Sequence, residues 1–225
     1  MNNIVMSDFE KYSDASKEWS QCDHALNYLT LADQIPYKKD GEQVLIDFIP
    51  HSAKRILDLG TGDGRLIKLL KTKLLKLDEA IGLDISPTMI NVAKDSFKEN
   101  PLIKIKEHDL SYPLPKNLGR FDVIVSGFAI HHLPHERKLT LFKEVFEMIN
   151  PGGMFCNYDH VASSTIELHK QFLARTVYKK EDQSNKLLDT EIQLKWLRDI
   201  GFTDVDCYWK WLEFALMIGI KPVVE

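Results

Sequence analysis

Ile56-Leu57-Asp58-Leu59-Gly60-Thr61-Gly62-Asp63-Gly64 is the stretch on which the reading of this chain turns. An apolar run ends at an acid, and three glycines then alternate with other residues. Arg65-Leu66-Ile67-Lys68-Leu69-Leu70 follows with helical spacing, so the order is strand, tight turn, helix. Glycine at such a turn tolerates φ > 0 and lets a ligand lie against the backbone. The helix behind it offers free N–H groups and a partial positive charge. A dinucleotide fingerprint, G-x-G-x-x-G, would need a third glycine five residues after Gly60, and residue 65 is arginine. The pattern present is Asp58-x-Gly60-x-Gly62-x-Gly64. A glycine turn with no ligand has the same local signature, so residues further along must discriminate.

Working outward, strand and helix alternate from residue 54. Strands are expected at 56–59, at 80–83 reaching Asp84, at 103–106 leading to Asp109, at 121–126 and at 154–158. Helices are expected at 65–75, at 87–97 with Ser86 as cap and Pro87 in its first turn, around Leu139, Phe142, Phe146 and Ile149, at 166–178, and at 190–200 with Gly201 just past its end. Pro151-Gly152-Gly153 reads as a break, and 179–186 as an exposed polar connection. Two last strands, 202–209 and 211–220, leave room only for a tight turn, so they must be antiparallel. Repeated β-α units imply a doubly wound parallel sheet with helices on both faces. The expected class is α/β, Rossmann-like: seven strands, mostly parallel, with a C-terminal antiparallel hairpin.

Residues 1–50 precede this domain of 51–225 and read as an N-terminal helical cap. Phe9, Tyr12, Trp19, Leu26, Leu29 and Ile35 are its apolar points, and Val44, Leu45, Phe48 and Ile49 share one side of a helix that Pro50 ends. The segment either completes the core or covers a ligand as a lid.

Size and charge narrow the function. The 225 residues, 44% hydrophobic, fit one large α/β domain with a small appendage. The net charge of −4 gives no basic footprint, so nucleic acid is not an expected partner. Lys68, Lys71, Lys73 and Lys76 read as a solvated helix face. Cys22, Cys156 and Cys207 are far apart and none forms C-x-x-C, which suits a reducing cytosol and predicts neither a metal site nor a disulfide framework. The start lacks a basic stretch followed by an apolar core, and the longest apolar run, 214–220, is too short to span a bilayer. A cytoplasmic protein with no membrane partner is expected, and this size allows a homodimer.

Ligands in open α/β sheets bind beyond the C-terminal strand ends. Here those ends carry Asp58 with the glycine loop, then Asp84, Asp109, and Ser126-Gly127-Phe128. Asp84 lies twenty residues after Gly64, where an acid can accept both ribose hydroxyls. Four such features in register, the terminal hairpin and Pro151-Gly152-Gly153 together resemble the class I S-adenosylmethionine-dependent methyltransferases, whose first motif reads D/E-x-G-x-G-x-G. The resemblance covers roughly 51–225. It implies S-adenosyl-L-methionine as cofactor, held by Asp58, Gly60, Thr61, Gly62, Asp84, Ile85, Met89, Asp109, Leu110, Ser126, Gly127 and Phe128.

Such an enzyme chiefly aligns two reactants and excludes water. It needs a base only when the acceptor is a weak nucleophile. His131 and His132 after the fourth strand, and Asp159 and His160 after the fifth, are the candidate catalytic residues, although each histidine can equally be structural. Trp209 and Trp211 read as packing on the hairpin. No N/D-P-P-Y follows the fourth strand and no Pro-Cys pair occurs, so the expected acceptor is a small molecule methylated at O, N or C. An RNA-modifying enzyme of the same fold, a non-catalytic cofactor-binding module and a nicotinamide oxidoreductase are the alternatives.

Overall fold

Strands that are apolar on both sides must feed two cores, because successive side chains point to opposite faces. In the computed structural model, which describes residues 34–176, 182 and 184–223, β1 (Arg55–Leu59) does this: Ile56 enters one buried cluster and its neighbour Leu57 the other. The remaining strands are β2 (Glu79–Asp84), β3 (Ile103–Glu107), β4 (Phe121–Gly127), β5 (Ile149–His160), β6 (Thr203–Trp211) and β7 (Phe214–Ile220). They form one seven-stranded sheet in the order β3-β2-β1-β4-β5-β7-β6. β3, β2, β1, β4 and β5 run parallel, and β7 inserts antiparallel between β5 and β6. The winding reverses between β1 and β4, so the loops that follow these two strands diverge and leave a crevice.

Helices α1 (Lys38–Phe48), α2 (Arg65–Lys73) and α3 (Pro87–Phe97) cover one face, with Leu45, Ile49, Leu66, Ile67, Leu70, Ile90 and Phe97 in a single buried cluster. Helices α4 (His135–Met148) and α6 (Thr190–Ile200) cover the other through Leu141, Phe142, Val145, Leu194 and Leu197. Helix α5 (Ile166–Arg175) lies beyond β5 and buries Phe172. Ser86 and Asp189 cap α3 and α6 through their side chains, and Gly201 closes α6 at φ 116°. Phe9, Tyr12, Trp19, Leu26 and Leu29 lie outside the described residues.

Two boundaries and one surface reading differ from expectation. β5 starts at Ile149, directly after α4, because Ile149 pairs with Phe121 and the ladder then shifts register before Val123 meets Met154. Pro151-Gly152-Gly153 is therefore an irregularity within the strand rather than a break before it; a Cβ at Gly153 would stand 2.7 Å from the Asp122 carbonyl. The hairpin turn falls at Leu212 and Glu213, two residues later than the spacing suggested. Part of the lysine run on α2 is structural: Lys73 donates to the Ile46 and Asp47 carbonyls at the end of α1 (2.6 and 2.8 Å).

Candidate active site

The glycine loop leaves β1 with Gly60, Gly62 and Gly64 all at positive φ, 70°, 56° and 82°. Gly60 is confined, since a Cβ there would lie 2.2 Å from that of Ala129. Gly62 is different: a Cβ would meet nothing within 4 Å, because the residue faces an open cleft. Three bonds fix the loop to its neighbours. Thr61 N–H donates to the Leu83 carbonyl (2.8 Å), Thr61 Oγ1 donates to Asp58 Oδ2 (2.7 Å), and Gly62 N–H donates to Asp84 Oδ2 (2.7 Å). Asp84 Oδ1 takes the Ser86 N–H (2.8 Å), so the carboxylate is oriented from both sides and keeps unused lone pairs.

Burial dominates the electrostatics. It pushes Asp58 up to about 7, against the pull of the Thr61 hydrogen bond and with help from the charges of Asp84 and Asp63. Asp84 is raised by burial too, opposed by backbone N–H donors. Asp58 Oδ1 and His108 Nε2 are buried and have no hydrogen-bond partner among the described residues. Both residues line the cleft.

The cleft measures about 1240 Å³ with its open mouth included. Eleven of the twelve residues expected at the cofactor line it. Ser126 does not; its hydroxyl donates to the Leu59 carbonyl (2.8 Å) and ties β4 to β1. The far wall is aromatic. Phe128, at φ 55°, donates its N–H to the Tyr158 carbonyl (2.8 Å) and sets its ring edge-on to Tyr158, with centroids 4.7 Å apart. Lys38 on α1 places its ammonium 5.4 Å from the Phe128 centroid. Glu42, one turn along, holds Arg65 bidentately (2.5 and 2.8 Å). Sequence reasoning assigned no site role to Lys38, Glu42, His108 or Tyr158, and used Arg65 only as the break in a dinucleotide fingerprint. Only His108, beside Asp109 at a strand end, carried a usable signal.

Of the four candidate catalytic residues, His132 alone lines the cleft. His131 turns inward to Asp159, Nδ1 to Oδ1 2.6 Å, and both are buried. His160 bonds Glu213 through Nε2 (2.8 Å), and Ser163 and His169 share that carboxylate. Trp211 packs tilted against Phe214, and Trp209 meets Tyr158 edge-to-face.

Residues 56–153 match the family model described as a methyltransferase domain. The carboxy-S-adenosyl-L-methionine synthase of Helicobacter hepaticus is 22% identical over 214 residues, 85% of this chain and 89% of that protein. The ubiquinone biosynthesis O-methyltransferase of Coxiella burnetii is 28% identical over 153 residues, 67% of this chain but only 60% of that protein. The phosphoethanolamine N-methyltransferase 2 of Haemonchus contortus, solved with S-adenosyl-L-methionine, superposes with a TM-score of 0.68 at 17% identity, over 98% of this chain and 61% of that one. Residues 56–153 thus match a methyltransferase domain, and the fold is that of the solved methyltransferases. The residues present fit S-adenosyl-L-methionine, the compound bound in the Haemonchus contortus structure. The open face of Gly62 leaves room for a ligand against the backbone, Asp84 keeps acceptor capacity, and the unpartnered Asp58 oxygen suits a cationic or N–H donor.

Proposed function

We propose that this methyltransferase moves a methyl group from S-adenosyl-L-methionine to an O, N or C atom of a small molecule by in-line displacement. One observation carries the reading: a single cleft is lined by two chemically distinct groups. Asp58, Gly62, Asp84 and Asp109 supply acids and open backbone, and Lys38, Phe128, His132 and Tyr158 supply rings and a cation.

The bound cofactor supplies an electrophilic methyl on a cationic sulfur. The chain's own residues do the rest. Asp84 accepts hydroxyl donors, Ile85, Met89 and Leu110 give apolar walls for a flat ring, and Asp58 offers its buried oxygen to positive charge. Phe128 and Tyr158 bound the space for the acceptor and exclude water from it, and alignment in such a site can supply about 7–11 kcal/mol. The net charge of −4 favours a small acceptor over nucleic acid. Cys156 and Cys207 are free thiols, in keeping with a cytosolic setting.

Calorimetry tests the cofactor half. Asp84→Ala removes a charged acceptor, worth about 1.5–3 kcal/mol, so cofactor affinity is expected to fall roughly 10- to 100-fold. Unchanged affinity overturns the reading. Methyl-labelled cofactor incubated with a cell extract tests the other half, through the mass of the labelled product.

A further inference from the structure

Asp109, Leu110 and Ser111 line the cleft on the loop that follows β3. What holds that loop comes from α4. Arg137 and Glu144 stand seven residues apart on this helix, about two turns, and so share a face. The guanidinium meets the carboxylate twice, Nη1 to Oε1 at 2.7 Å and Nη2 to Oε2 at 2.9 Å. Its Nε donates to the Leu110 carbonyl (2.7 Å), its Nη2 to the Tyr112 carbonyl (2.8 Å) and its Nη1 to Thr140 Oγ1 (2.9 Å). Those five bonds use all five N–H donors of the arginine side chain. Glu144 Oε2 in turn accepts the Leu114 N–H (2.9 Å). The Arg137 side chain is 10% exposed and that of Glu144 23%, so solvent screens the pair only in part.

The hold reaches the cleft through one peptide plane. In a trans peptide the carbonyl and the following N–H point to opposite sides, and no described peptide is cis. Arg137 draws the Leu110 carbonyl toward α4, so the Ser111 N–H points the other way, where it donates to Asp109 Oδ1 (2.8 Å). Tyr112 N–H closes the turn on the Asp109 carbonyl (3.0 Å). The Asp109 carboxylate is therefore oriented by a pair that does not itself line the cleft. One N–H leaves that carboxylate most of its acceptor capacity.

Glu144 also keeps the brace electrically quiet. Burial holds the His108 imidazole below its ordinary value, and Arg137 and Glu144, both near it, act on it in opposite directions. Together they project little net charge, so their effect on a ligand runs through the shape of the loop.

We propose that Arg137 and Glu144 are positioning residues that set the Asp109 carboxylate against the amino edge of the cofactor's adenine, and so fix a preference for adenosyl over inosyl ligands. The inference rests on the cofactor reading above, in which Leu110, the neighbour of Asp109, walls the flat ring. Adenine carries an amino donor at the position where a 6-oxo purine carries an acceptor oxygen. A carboxylate held in place accepts from the first and repels the second. Lysine is no substitute for Arg137, because one ammonium cannot span two carbonyls and both carboxylate oxygens.

Calorimetry of the full chain with S-adenosylhomocysteine and its 6-oxo analogue, S-inosylhomocysteine, tests this. The wild type is expected to prefer the adenosyl compound about 10-fold or more. Arg137→Lys and Glu144→Gln should each weaken the adenosyl compound about 2- to 30-fold and leave the inosyl compound nearly as it was, so the preference narrows. An equal loss for both compounds marks a general loosening of the fold and overturns the proposal, as does an undiminished preference. If Arg137→Lys does not fold, Glu144→Gln decides by the same ratio. A wild type that binds neither compound defeats the cofactor reading; one that binds both alike leaves that reading standing and overturns only the proposal. Hydrogen exchange without ligand gives a second readout. The Ser111 and Leu114 amides should exchange faster in both variants while those of Val123 and Val125 in β4 keep their wild-type rates, and unchanged rates at Ser111 and Leu114 overturn the brace.

Discussion

Asp58 shows how a single side chain sets conflicting demands. Its carboxyl is raised to about 7 in the fold, from an ordinary value of 3.8, chiefly because it is buried. Between those two values the native state holds more protons than the unfolded chain, so this group's contribution to stability falls as pH rises from about 4 to about 7. Asp58→Asn keeps an acceptor for Thr61 and removes that dependence. Without cofactor, its melting temperature at pH 8 should exceed that of the wild type by a few degrees. Positive charge arriving beside Asp58 favours the ionised form, so cofactor binding should release protons below pH 7 and affinity should rise with pH up to about 7, then level. Calorimetry in buffers of differing ionisation enthalpy measures the release, and Asp58→Asn should abolish it. Asp58, Asp84 and Asp109 were legible in the sequence because a strand end followed by an acid has a fixed place in a parallel sheet. The division of labour between His131 and His132 was not. Adjacent residues on a 3-10 turn point to different sides, and no sequence pattern says which side holds the cleft.

At the scale of elements, the chain's periodicities place both cores. A strand such as Ile56-Leu57-Asp58-Leu59 needs apolar cover on each face, and the 3.6-residue pattern of α2 and α4 provides it. The misjudged boundaries have one cause: pairing with a distant strand overrides local breakers, as Phe121 does in drawing Ile149 into β5. Gly41 makes the same point within α1. A mid-helix glycine looks like a flaw costing about 1 kcal/mol against alanine. Yet a Cβ there would lie 2.5 Å from Tyr158 Cζ and 2.6 Å from its hydroxyl. That ring is buried against Phe128 and Trp209 and could give way only by giving up those contacts and moving into the cleft. Gly41→Ala should therefore destabilise by about 1–3 kcal/mol, the usual range for overpacking, in spite of its better helix propensity. Urea denaturation checks this, and a raised midpoint would contradict the packing. The contributions of Lys38 and Glu42 were illegible for a related reason. They precede every motif, and only the path of α1 across the strand ends brings them to the cleft.

For the whole molecule, the cleft joins loops from β1, β2, β3 and β4 with α1. A ligand held by all of them binds the folded state alone and stabilises it by mass action. At a cofactor concentration one hundred times Kd the gain is about 2.7 kcal/mol. At roughly 2–4 °C per kcal/mol for a chain of this size, the melting temperature should rise by about 5–11 °C. Scanning calorimetry measures the rise, and Asp84→Ala should show most of it lost at the same concentration.

The aromatic wall has a further implication for how such a chain can diversify. Tyr158 gives its hydroxyl to the Lys38 carbonyl (3.3 Å) and its ring to the notch left by Gly41. The contour that an incoming acceptor meets is thus set jointly by the fifth strand and by a helix lying upstream of the entire β-α framework. Substitutions in residues 34–50 can remould that contour while the strand-end loops proposed to hold the cofactor stay as they are. A library confined to this stretch is a direct route to variants with altered acceptor preference and an intact grip on the methyl donor.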